Sequence, residues 1–218
     1  MALYVSVADG MRLLTTAPLL LAASFLTTSF VAAQSVDAYF GVGTARAPSN
    51  GVPIDTFGTG TLYTPPALGG TFLKFGGTVM LTPHFGAGIE ASLRPTQSDY
   101  AGLKYKPTFY DFNAVWHPFT AVHRVVPELQ AGIGGANLKF YYTQQYCDQF
   151  AGCSSSNGYL ESSNHFQTHF ALGIRFYVTD NIFVRPQVDA RWVHNFFQFG
   201  SDWVPEYGAS VGYTFGRR

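Results

Sequence analysis

Leu172-Gly-Ile-Arg-Phe-Tyr-Val-Thr-Asp-Asn-Ile-Phe-Val-Arg-Pro-Gln-Val-Asp-Ala190 is the stretch that decides the fold. Apolar and polar or small residues alternate on both sides of Thr179-Asp180-Asn181. One face carries Leu172, Ile174, Phe176 and Val178, then Ile182, Val184, Pro186 and Val188. The other carries Gly173, Arg175, Arg185, Gln187, Asp189 and Arg191. A period of two puts these rows on opposite sides of a sheet. A greasy row, a charged row and a very short turn describe a hairpin with oil on one side and a polar lumen on the other. Phe75–Glu90 reads the same way: Gly76 matches Gly173, Thr82 matches Thr179, Phe85 matches Ile182 and Glu90 matches Gln187.

Working outward, the same alternation recurs along the chain. Strands are predicted over Val36–Thr44, Thr71–Leu81, Phe85–Leu93, Thr108–Trp116, Val125–Leu138, Phe166–Val178, Ile182–Val193 and Glu206–Phe215. The intervening segments alternate long and short, four long and three short. Tight turns at one membrane face and free loops at the other produce that asymmetry, which a soluble sandwich does not need. The predicted fold is all-β, an eight-stranded antiparallel up-and-down transmembrane β-barrel, the smallest common outer membrane size.

Composition agrees. Aromatics are 17% of 218 residues, mostly 20 Phe and 13 Tyr, and 23 Gly accompany them. Only 12% of residues are charged, with zero formal net charge, so nucleic acid is not an expected partner. At the N-terminus, Met11-Arg12 opens a short basic region, Leu13–Val31 is apolar, and Val31-Ala32-Ala33 supplies small residues. A signal peptide over residues 1–33 is expected, with the barrel over 34–218. Met11 is a second candidate for the start, because residues 1–10 hold no Lys or Arg. No later stretch is long and apolar enough to span as a helix. Cys147 and Cys153, the two cysteines, sit in a polar loop and are expected to pair in an oxidising compartment.

Ala171–Val188 resembles the seventh-strand hairpin of OmpA-like outer membrane β-barrel domains. Gly208-Ala-Ser-Val-Gly-Tyr-Thr-Phe215 resembles the C-terminal strand by which the assembly machinery recognises such barrels. The resemblance covers Ser35–Phe215. It implies the outer membrane of a Gram-negative bacterium, outer membrane lipids around the barrel, and barrel assembly machinery and periplasmic chaperones during biogenesis. The chain departs from the pattern by continuing Gly216-Arg217-Arg218 after the terminal aromatic. It stops at the last strand, so a periplasmic peptidoglycan-binding domain is not expected.

The inward row is predicted to hold Lys74, Glu90, Asp111, Glu128, Arg175, Arg185, Asp189 and Arg191. Balanced signs in a narrow lumen suit ion pairing more than transport. No cofactor, metal or catalytic set is expected. His165 and His169 share a face but lie about 13 Å apart along an extended strand, too far to share a metal. His84, His117 and His123 are placed in or beside solvated turns, and His194 borders a loop. A barrel-embedded lipid hydrolase needs Ser and His together on one strand. The chain has no His-x-Ser, and His169 with Ser162 or Ser163 is the nearest substitute. The Gly41–Gly43 and Gly58–Gly60 pieces precede no helix and are not phosphate cradles. Gly132, Gly134 and Gly135 are expected to relieve crowding in a curved strand.

The expectation is therefore a structural outer membrane barrel without catalysis, its surface loops open to adhesion or surface interaction with a ligand the sequence does not name. Phe196, Phe197, Phe199 and Trp203 are candidates for loop binding or for an interfacial ring. A lipid-modifying barrel enzyme resembling lipid A deacylases, or a narrow passive pore, are the alternatives.

Overall fold

A computed structural model describes residues 35–119, 124–148 and 152–216. The expected signal peptide, Met11, His123, Arg217 and Arg218 lie outside them. Among the described residues nine strands form one antiparallel sheet: β1 Ser35–Ala45, β2 Thr71–Met80, β3 Phe85–Leu93, β4 Ser98–Tyr100, β5 Leu103–Trp116, β6 Val125–Asp148, β7 Gly152–Tyr177, β8 Ile182–Val193 and β9 Trp203–Gly216. Each barrel strand pairs with its chain neighbours, β3 pairs directly with β5, and β1 pairs with β9 from Ser35↔Gly216 to Ala45↔Glu206. Eight strands therefore close an up-and-down ring, which leaves no free edge within the barrel wall. The ninth, β4, folds back on the start of β5. No helix among the described residues is long and apolar enough to cross a membrane.

The two matching hairpins owe their likeness to one device. Thr82 Oγ1 accepts hydrogen bonds from the His84 and Phe85 amides at 3.3 and 2.9 Å. Thr179 Oγ1 does the same for Asn181 and Ile182 at 3.4 and 3.0 Å. In each turn a threonine hydroxyl takes amides that the ladder leaves free.

The period-two rows land where the alternation put them. Outward positions such as Phe40, Phe112, Phe170, Val188 and Val211 are exposed, while their chain neighbours are buried. An apolar outer wall over a polar interior is the inverse of a soluble barrel. Strand crowding is relieved at glycines. A Cβ on Gly134 would stand 1.9 Å from the Tyr110 carbonyl oxygen, and one on Gly132 would stand 2.1 Å from that of Phe112. Elsewhere a ring lies over its cross-strand glycine: Tyr39 on Gly76, Phe183 on Gly212, Tyr110 on Gly135 and Tyr142 on Gly158. The ring supplies packing that the bare backbone lacks.

The main differences from the sequence reading lie on the side of the long loops, where β9 also starts at Trp203 rather than Glu206. β5 starts at Leu103 rather than Thr108, and β4 lies in the segment read as loop. The Cys loop is also strand: β6 and β7 continue as one ladder to Asp148↔Gly152. Beyond the membrane both faces meet water, so apolar residues no longer alternate and the period vanishes although the ladder continues.

Candidate functional site

The strands bring the inward polar side chains into one buried array. Arg175 bridges Asp37 and Glu128, Arg185 joins Glu128 at 2.7 Å to Glu90 at 3.1 Å, and Lys74 joins Glu90 at 2.9 Å to Asp189 at 2.6 Å. Arg191 reaches Asp111 at 3.3 Å and also contacts Glu206. All eight expected residues are almost fully buried and meet through these contacts. The reading from sequence missed Asp37 and Glu206, which complete the array from strand ends, and His117 and His169, which sit on Glu128 and Asp189 at 3.0 and 2.9 Å. Among the described residues, four cations thus face six carboxylates.

Apolar layers bound the array at both ends. Tyr39, Val126, Tyr177 and Phe183 form the layer at the end of the short turns. At the opposite mouth Phe72, Tyr105, Phe109, Phe196 and Phe199 cluster with Leu68 from the first long loop. Each lumenal arginine lies over a ring: Arg185 over Tyr39 at 3.8 Å, Arg175 over Phe183 at 4.9 Å and Arg191 over Phe109 at 5.3 Å. Stacking and ion pairing together fix the guanidinium planes. Eight strands leave room for side chains and little else. The expected roles of the last aromatic loop divide accordingly. Phe196 and Phe199 are buried in the mouth, neither binding surface nor interfacial ring, whereas Phe197 and Trp203 are exposed.

Above the mouth, β6 and β7 form a two-stranded hairpin. β5 pairs with β6 as far as Tyr141, and β8 pairs with β7 only from Gln167 onward. Tyr142–Asp148 and Gly152–Gly158 therefore stand with only each other in the sheet, over roughly 20–25 Å at strand rise. Cys147 and Cys153 face each other across the ladder and form a disulfide near its tip. Tyr146 and Tyr159 are exposed along it.

The sequence profile of the outer membrane protein beta-barrel domain matches residues 18–215. The chain belongs to the outer membrane β-barrel family. Its place is the outer membrane of a Gram-negative bacterium. Among solved structures, neisserial surface protein A shares 13% identity at a TM-score of 0.55, covering 83% of this chain and 97% of that one. OprG of Pseudomonas aeruginosa shares 12% at 0.51, covering 84% and 98%. Ail, the attachment invasion locus protein of Yersinia pestis, shares 14% at 0.50, covering 83% and 98%. These likenesses are of fold. No curated protein matches the sequence significantly.

Within this outer membrane barrel the histidines separate by surroundings. His117, expected in solvent, is buried against Glu128. His84 Nδ1 lies 2.9 Å from the His117 carbonyl oxygen, and the His194 ring lies against Trp192. His169 lies between Asn113 and Asp189 at 2.8 and 2.9 Å, so the suggested pairing with Ser162 or Ser163 is not formed. His165 takes that place instead. Ser163 Oγ is 2.6 Å from its Nε2, and its Nδ1 is 3.2 Å from the His194 carbonyl oxygen. The signal was Ser-x-His, two residues apart on one face, the reverse of the order sought. Glu90, His169 and Asp189 converge closely enough to hold a metal ion. The Lys74 ammonium already occupies the space between the two carboxylates.

Proposed function

We propose that this barrel is a closed structural element of the outer membrane that makes surface contacts through its β6–β7 hairpin, without catalysis. The observation that carries the reading is the combination of a lumen lined by buried ion pairs between two apolar layers with one disulfide-stapled hairpin extending past the rim. Tyr, Ser, Gln and Asn dominate that hairpin, and these side chains give large, adaptable contact area at little entropic cost. Outer membrane lipids surround the wall. Periplasmic chaperones and the barrel assembly machinery would receive the chain through β9.

Purified protein in planar bilayers should show no sustained conductance. Cells displaying the full chain should bind surfaces such as matrix-coated wells, and cells displaying a barrel with residues 142–158 replaced by a short turn should not. Equal binding by the two would overturn the surface role, and steady channels would overturn the closed lumen. A second reading rests on the Ser163–His165 pair, a nucleophile and base within reach of each other. Ester hydrolysis abolished by Ser163→Ala would establish it.

A further inference from the structure

The whole chain has four lysines: Lys74, Lys104, Lys106 and Lys139. Lys74 is in the lumen. The other three meet on one patch of the outer wall, on two adjacent strands. Lys106 and Lys139 are direct cross-strand partners, and Lys104 lies two residues further along the same face of β5. Like charges directly opposite on a sheet repel. Lys104 has the exposed Asp99 at 2.5 Å, but among the described residues neither Lys106 nor Lys139 has an ion-pair partner. The protein thus places three ammonium groups together and supplies one carboxylate.

Their height in the wall gives the arrangement a meaning. Across β5, β6 and β7 the last apolar rung is Tyr110, Gly135 and Phe166. The next is Thr108, Asn137 and Asn164, with Asn137 Nδ2 donating to Asn164 Oδ1 at 2.7 Å. Lys106, Lys139 and Ser162 form the rung above that. Two rungs are about 13 Å along the strand, or roughly 10 Å along the membrane normal for a tilted barrel strand. That depth is the headgroup layer on the side of the long loops.

We propose that Lys104, Lys106 and Lys139 form a clamp on the lipid-facing wall for the phosphate groups of an anionic outer-leaflet lipid. The headgroup supplies the charge that the protein withholds, and the apolar rungs below receive the acyl chains. The site rests on the membrane placement and is independent of the hairpin's surface role.

The test compares the full chain with Lys106→Gln/Lys139→Gln, both exchanges on the surface and away from the lumen. Each protein is placed in phosphatidylcholine nanodiscs, alone or with a diphosphorylated lipopolysaccharide or its dephosphorylated form. Thermal midpoint and retained glycolipid are measured. Without glycolipid the variant should melt at or slightly above the parent, because a repulsive pair is gone. With the diphosphorylated lipid the parent should gain stability and the variant should not. Affinity should fall about thirtyfold for two lysines. Millimolar inorganic phosphate should neither stabilise the parent nor displace the lipid. Equal retention by parent and variant, equal retention of the dephosphorylated lipid, or lysine-dependent binding of free phosphate or a soluble sulfated polysaccharide in preference to the lipid would each overturn the proposal.

Discussion

Arg185 shows what one buried residue commits this molecule to. It spans Glu90 and Glu128 and lies over the Tyr39 ring, with no exposure. Removing it leaves Glu90 and Glu128 buried with one cation fewer in a lumen where carboxylates already outnumber cations, and breaking a buried pair costs about 3–5 kcal/mol where an intact pair adds little. Arg185→Met should therefore lower the temperature at which the folded band is lost on an unheated gel, and adding Glu128→Gln should recover part of that loss. Asp55, in the first long loop, is the opposite case, outside the lumen and half-buried. Hydrogen bonds from the Gly60 and Thr59 amides, Gly60 first, hold its carboxyl below the ordinary carboxylate range. A depressed folded value means the carboxylate supports this turn above the ordinary range and loses it as pH falls through the depressed one. Amide exchange at Gly60 should be protected at neutral pH and accelerate toward strongly acid pH relative to a reference peptide. Protection that persists at the acid end would contradict that role.

At the scale of elements, the short turns and the crowded strands set assembly. Thr179→Ala removes an acceptor from two turn amides and should cost about 1 kcal/mol. Gly134→Val should cost more, since its Cβ would overlap a backbone oxygen of β5 rather than a movable side chain. The expected readout is a loss of heat-resistant folded protein for Gly134→Val and only a modest shift for Thr179→Ala. Cys147→Ser opens the staple of the hairpin, whose small ring contributes roughly 2 kcal/mol by chain entropy. Because the tip is apart from the barrel, protease should cut the tip faster while the barrel keeps its heat-dependent mobility. A variant that lost the barrel as well would show that the hairpin and barrel fold as one unit.

For the whole molecule, closure joins these features. The β1–β9 ladder completes the barrel ring, and apolar layers cap a lumen of ion pairs. A closed ladder in detergent resists dissociation until heated, so boiled and unboiled samples of the membrane fraction should run at different mobilities. The outer wall needs lipid, because large apolar side chains from Phe40 to Phe215 are exposed along it. Stripped of detergent the protein should aggregate, and a soluble monomer under those conditions would contradict the wall's orientation.

Alternation alone was enough to place the strands wherever lipid imposes a period of two. β3 and β8 begin and end where the alternation placed them, and the inward charges share one face because parity along a strand leaves no choice. Where lipid stops, the pattern stops, and the extended hairpin was indistinguishable from a polar loop. Which strand faces which across the lumen was set by closure of the ring. It brought Asp37 to Arg175, 138 residues apart, and put Lys74 between Glu90 and Asp189. The last aromatic loop also turned Phe196 and Phe199 inward to fill the mouth. Parity tells which side of the wall a residue faces, but its partners across the barrel follow from ring closure and stagger, properties of all eight strands together.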